Sequence, residues 1–152
     1  MSKEVERKNT TKVLDLIFSI ISLLIGGLLY LGYRSQELLM FRWTKCLKLD
    51  KIIGLWRYIC SQHPLPKWAF YALPDGLWLF SYMLLIHTIW GEHIRQYRMW
   101  VYTLPVIAIT SELMQLVISS LGTFDMMDII CYSGAILLFE LKTRIEWKRK
   151  EI

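Results

Sequence analysis

The stretch LIFSIISLLIGGLLYLGY, residues 16–33, carries no Asp, Glu, Lys or Arg over 18 positions. Crossing the hydrocarbon core of a bilayer takes about 20 helical residues at a rise of about 1.5 Å each, so this run is nearly long enough by itself. A secretory signal core is shorter, and LGYRSQ downstream offers no small-x-small cleavage site; the run therefore predicts an uncleaved helix. The rest of the chain is of the same character. Its 152 residues are 55% hydrophobic and 14% aromatic with a mean hydropathy of +0.36, high for a soluble domain of this length. A single integral membrane domain is expected.

Three more segments approach a membrane-spanning length. GLWLFSYMLLIHTIWG, residues 76–91, is opened by LPDG, read as a turn, and closed by EHIRQYR. A third segment from Met99 to Ser119 is broken by Glu112 alone, and a fourth from Phe124 to Lys142 has Asp125 and Asp128 at its start and Glu140 near its end. The fourth offers only 11 uncharged residues, IICYSGAILLF, between Asp128 and Glu140, so it can span only by carrying Asp128 into the membrane. The expected fold is an all-α integral membrane protein: a bundle of four transmembrane helices over residues 14–34, 75–92, 99–119 and 124–142. A soluble helical bundle is the alternative for the last two segments, with the first still anchoring the chain.

Lys and Arg near the segment ends set the orientation. With the N-terminus in the cytoplasm, eleven lie inside, including Arg95, Arg98, Lys142 and Arg144, and seven lie outside, all between Arg34 and Asp75. Both termini are expected in the cytoplasm. The net charge of +5 reflects these flanks and suits an anionic lipid surface; no aromatic-interleaved basic motif points to nucleic acid.

The outer connection has structure of its own. LDKIIGLWRYICSQ, residues 49–62, places Ile52, Ile53, Trp56, Ile59 and Cys60 at helical spacing and leaves Lys51, Arg57 and Gln62 on a polar side. This predicts a short amphipathic helix, lying on the membrane surface or packed on the bundle. QHPLPKW then breaks any helix with two prolines. Cys46 and Cys60 share this connection and can pair in an oxidising compartment, but no cysteine spacing resembles a metal site.

The acids give the chain its chemistry. Residues 119–125 are too few for more than a tight turn, so the third and fourth segments form an antiparallel hairpin. Glu112 lies about 10 Å below Ser119, and Asp128 about 6 Å below Phe124, at similar depth. Glu112 and Gln115, three apart, share a face, as do Asp125 and Asp128. Pro105, Ala108, Glu112, Gln115 and Ser119 form one stripe expected to face protein. Asp75 reaches the same end, with Trp78 and Tyr82 deeper. Asp75, Glu112, Asp125 and Asp128 thus ring one predicted extracytoplasmic pocket. An ionisable group at the centre of a bilayer costs about 2.5–3.5 kcal/mol on insertion scales, so such groups face a bundle interior or water and usually have a task. Four clustered carboxylates call for protonation, a basic partner or a bound cation. Several of these residues also have a plainer reading: Asp75 and Asp125 as helix caps, Gly122 and Thr123 as turn residues, His87 as a hydrogen-bonded core residue, and Gly134 with Ala135 as points of close helix approach; Glu112 and Asp128, within the spans, are harder to explain so.

The run from Glu112 to Ala135, E-L-M-Q, then G-T-F-D-M-M-D-I-I, then G-A, resembles the signature of the VanZ-like family of small polytopic bacterial membrane proteins. That family shows an acid and a glutamine three apart, a turn, two acids three apart and a small residue beyond. The matching positions are Glu112, Gln115, Asp125, Asp128 and Gly134. Two family features are missing: an arginine in the turn, where this chain has SSLGTFD, and an asparagine before the glycine, where it has IICYSG. The counter-charge would then come from Arg34, Arg42 or Lys67.

The resemblance implies a role at the outer face of the cytoplasmic membrane, of the glycopeptide-resistance type, with no established reaction. The depth-matched acids favour a non-catalytic envelope protein whose pocket would bind a cationic or cation-bridged amphiphile, such as a lipid headgroup or a cell-wall-directed antibiotic. No cofactor is expected beyond a divalent cation at the acids. Two other functions fit the residues. One is a cation-dependent enzyme acting on a lipid-linked phosphate, for which hard carboxylate oxygens suit Mg²⁺ or Ca²⁺ but no nucleophile-base pair or phosphate-cradling loop is visible. The other is a transport or assembly subunit.

Overall fold

The computed structural model describes residues 2–36, 39–90, 98–118, 120 and 122–150. The predicted ends of the second and third segments, at residues 91–92 and 119, lie outside these, as does Arg95. Seven helices and no strand occur among the described residues: α1 (Ser2–Tyr33), α2 (Leu39–Cys46), α3 (Asp50–Ser61), α4 (Lys67–Tyr71), α5 (Leu73–Trp90), α6 (Arg98–Gln115) and α7 (Met126–Lys150).

The chain is all-helical as expected, but by length and composition only one described helix qualifies to cross a membrane. It is the 24-residue stretch Thr10–Tyr33 of α1. The other three long helices fall short for readable reasons. The 18 residues of α5 include Asp75 and His87, the 18 of α6 include Arg98 and Glu112, and α7 carries Asp128, Glu140 and Lys142 within its 25 residues.

The polarity of α1 runs opposite to that of a soluble amphipathic helix. Asp15, Ser19, Ser22 and Gly26 recur at spacings of three or four and are buried. Ile17, Phe18, Ile21, Leu24 and Leu28 are exposed, and only 17% of its most apolar window is covered by protein. The buried face packs antiparallel on α5. Ser19 Oγ donates to Ser81 O at 2.9 Å, Ser81 Oγ returns a bond to Ser19 O at 2.8 Å, and Trp78 Nε1 donates to Leu23 O at 3.3 Å. A Cβ on Gly26 would stand 2.6 Å from Trp78 Nε1, so the missing side chain is what lets the indole in.

Helix α5 is central, touching α1, α4, α6 and α7. Its Gly76 meets Cys131 of α7, where a Cβ would lie 2.9 Å from the Cys131 Cβ and 3.0 Å from its carbonyl oxygen. Helices α6 and α7 form the expected antiparallel hairpin, and Met83, Leu84, Val101 and Phe139 close a small apolar core among α5, α6 and α7. In the stripe predicted to face protein, Pro105 and Glu112 are buried and Ala108 and Gln115 half-buried; Ser119 lies outside the described residues.

Three local expectations need correction. LPDG is the first turn of α5 and not a separate turn, because Pro74 lacks an N–H where an opening helical turn needs none. The amphipathic segment is helical as α3, but Arg57 turns inward: its Nη1 donates to Leu31 O and Arg34 O, both at 2.8 Å, satisfying carbonyls at the end of α1. Trp56 Nε1 also bonds Leu28 O, at 2.9 Å, while Ile52, Leu55, Tyr58 and Ile59 stay exposed. Finally, Gly134 has open space where a Cβ would stand, whereas Gly26, Gly32 and Gly76 are points of close approach.

Candidate functional site

The opening turn of α5, the end of α6 and the start of α7 gather Asp75, Glu112, Asp125 and Asp128 at one end of the bundle. Their charges act on one another, and the Arg34 charge acts on Asp75 and Asp128. The Gly76–Cys131 contact is what draws Asp75 toward Asp128, since each glycine or cysteine adjoins or lies one turn from its acid.

The four acids differ in what they do. Glu112, 5% exposed, is fully engaged: Oε1 accepts the Asp125 backbone N–H at 2.7 Å and Oε2 accepts from Gln115 Nε2 at 3.0 Å. Gln115 in turn lies against Gly122, whose φ of +142° is a conformation that glycine tolerates best, and a Cβ there would stand 3.0 Å from Gln115 Oε1. Glu112, Gln115 and Gly122 therefore hold the turn between α6 and α7. Asp125 caps α7, its Oδ1 accepting the Met127 N–H at 2.9 Å.

Asp128 is the exception. Its Oδ1 is buried and finds no hydrogen-bond donor among the described residues. Arg34 shows the complementary state: its Nε is buried without an acceptor among the described residues, while its guanidinium carbon sits 4.5 Å from the Tyr71 ring centroid and 5.3 Å from that of Tyr30. The aromatic rings hold the cation beside the acids without forming an ion pair with them among the described residues. Of the three proposed counter-charges, Arg34 is the one whose charge reaches the acids. Tyr132, one turn beyond Asp128, also feels Asp75, Asp128 and Glu112. Its position was legible from the i, i+4 spacing; the Tyr30 and Tyr71 cage was not, because it joins α1 to α4.

The acids do not converge on a point. Among the described residues, the one group of three His, Cys, Asp or Glu side chains with ligand atoms within 4.8 Å of one another is Asp15, His87 and Glu146, at the opposite end of the bundle. The divalent cation expected at Asp75, Glu112, Asp125 and Asp128 thus has no ready-made three-ligand set there. His87 is hydrogen-bonded, as read from the sequence, with Nδ1 3.0 Å from Asp15 Oδ2. Cys46, Cys60 and Cys131 are free thiols, so Cys46 and Cys60 are not paired.

Comparison with protein-family models, characterised proteins and solved structures finds no match to this chain.

Proposed function

We propose that the chain is a multi-pass, VanZ-like protein of the bacterial cytoplasmic membrane whose acidic end faces out of the cytoplasm and binds the cationic head of an amphiphile. The carrying observation is the buried Asp128 oxygen, without a donor among the described residues, at the end of a bundle with apolar groups outside. A buried carboxylate oxygen left without a donor costs about 1–3 kcal/mol or more, and an ammonium head supplies both the donors and the charge. The surface beside it suits the tail: Met126, Met127 and Ile130 are exposed on the same turns of α7. Glu112, Gln115 and Asp125 shape the site, and Asp128 with Asp75 meets the ligand. A lipid headgroup and a cationic cell-wall-directed antibiotic share this chemistry.

Asp128→Asn is the sharper test, because changing Glu112 also loosens the turn. In the purified full chain, binding of dodecylammonium, read by thermophoresis, is expected to weaken at least tenfold with helicity unchanged. Equal binding by a well-folded Asp128→Asn protein overturns the proposal.

A further inference from the structure

The other end of the bundle carries a second ionisable cluster, apart from Asp75, Glu112, Asp125 and Asp128. Asp15 of α1 is 2% exposed, although it directly precedes the longest apolar run of the chain. Helix α5 brings His87 to it, with Nδ1 3.0 Å from Asp15 Oδ2, and α7 brings Lys142 and Glu146. The Lys142 ammonium pairs with Asp15 Oδ1 and with Glu146 Oε1, one turn along α7. Both Asp15 oxygens are thereby engaged, Oδ1 by Lys142 and Oδ2 by His87.

We propose that Asp15, His87 and Glu146 form a binding site for a first-row transition dication, which enters by displacing the Lys142 ammonium. One imidazole nitrogen and two carboxylate oxygens, all within 4.8 Å of one another, are the donor types and number that Zn²⁺ uses in sites with one position left open. A hard ion such as Mg²⁺ prefers oxygen ligands and is disfavoured by the histidine. The lysine already marks the space between the carboxylates as one for positive charge. Its four-carbon stem is flexible and its side chain 22% exposed, so it can swing to solvent. Removing it leaves two negative charges facing a histidine, and a dication balances them. Contact with Phe139, edge-on at 5.7 Å between ring centroids, limits rotation of the His87 ring. His87 at 18% and Glu146 at 20% exposure leave a path for an ion from the adjacent solvent.

The test is a titration of the purified full chain with Co²⁺, read by visible d–d absorption, with Zn²⁺ as competitor. Wild-type protein is expected to take up one Co²⁺ that Zn²⁺ displaces, His87→Phe to take up none while keeping its helicity, and Lys142→Met to bind at least tenfold more tightly. Absence of stoichiometric uptake by wild type overturns the proposal, as does uptake unchanged in His87→Phe. Uptake by Lys142→Met alone makes the lysine the permanent counter-ion and overturns it equally.

Discussion

Glu112 and Asp128 are both carboxylates near the α6–α7 turn, yet hydrogen bonding separates them. Both oxygens of Glu112 are satisfied within the protein, one by the Asp125 N–H and one by Gln115, whereas Asp128 keeps a buried oxygen without a donor among the described residues. Substitutions should divide accordingly. Glu112→Ala removes the acceptor for a backbone N–H, and a hydrogen bond to a charged group contributes about 1.5–3 kcal/mol; thermal unfolding in detergent should show a loss of that order. Glu112→Gln keeps an acceptor for Asp125 and should lose clearly less, and equal losses would remove the turn-holding role. Gly122→Ala should cost about 1–3 kcal/mol in the same measurement, because φ of +142° is strained for any residue with a Cβ.

The helices show what an apolar exterior requires of an interface. Burial of apolar surface cannot drive α1 onto α5 if their outer faces are equally apolar, so contact depends on small residues and on hydrogen bonds. Ser19 with Ser81, and Gly26 beneath Trp78, supply both. Gly76 does the same between α5 and α7. Gly76→Val should therefore force the pair apart and lower stability by about 1–3 kcal/mol, with Gly134→Val nearly neutral because nothing stands within 4 Å of its missing Cβ. Thermal unfolding of the two variants side by side checks this. Helix α3 is fastened by Trp56 and Arg57 to the carbonyls at the end of α1, which places its exposed Ile52, Leu55 and Ile59 away from the bundle.

At the scale of the whole molecule, the charged clusters among the described residues lie at two ends of one bundle. One end gathers Arg34, Asp75, Glu112, Asp125 and Asp128, and the other Asp15, His87, Lys142 and Glu146, with Arg98 paired to Glu140 at 3.0 Å nearby. Between them lie the Ser19–Ser81 bonds and the Met83, Leu84, Val101 and Phe139 core. If the bundle spans a membrane as proposed, the two ends face opposite compartments. In vesicles of known orientation, with Cys46, Cys60 and Cys131 replaced by Ala, Thr123→Cys should react with an impermeant maleimide from outside only and Arg144→Cys from inside only. Labelling of both from one side would overturn the multi-pass arrangement.

The helical class, the α6–α7 hairpin and the amphipathic α3 were legible from the sequence because each depends on local periodicity or on a connection too short for alternatives. The uncharged run of α1 is likewise a property of consecutive residues, and so is the proximity of Glu112, Gln115, Asp125 and Asp128, which follows from one tight turn. Tertiary structure decided the rest. Whether a carboxylate is a clamp, a cap or left without a donor depends on atoms supplied by other segments, as with Glu112 at Asp125 and Arg34 between Tyr30 and Tyr71. The Asp15–His87–Lys142–Glu146 cluster joins residues up to 131 positions apart, and no periodicity connects them. Only the antiparallel packing of α1 on α5, made close by Ser19, Ser81 and Gly26, brings that buried aspartate to its histidine.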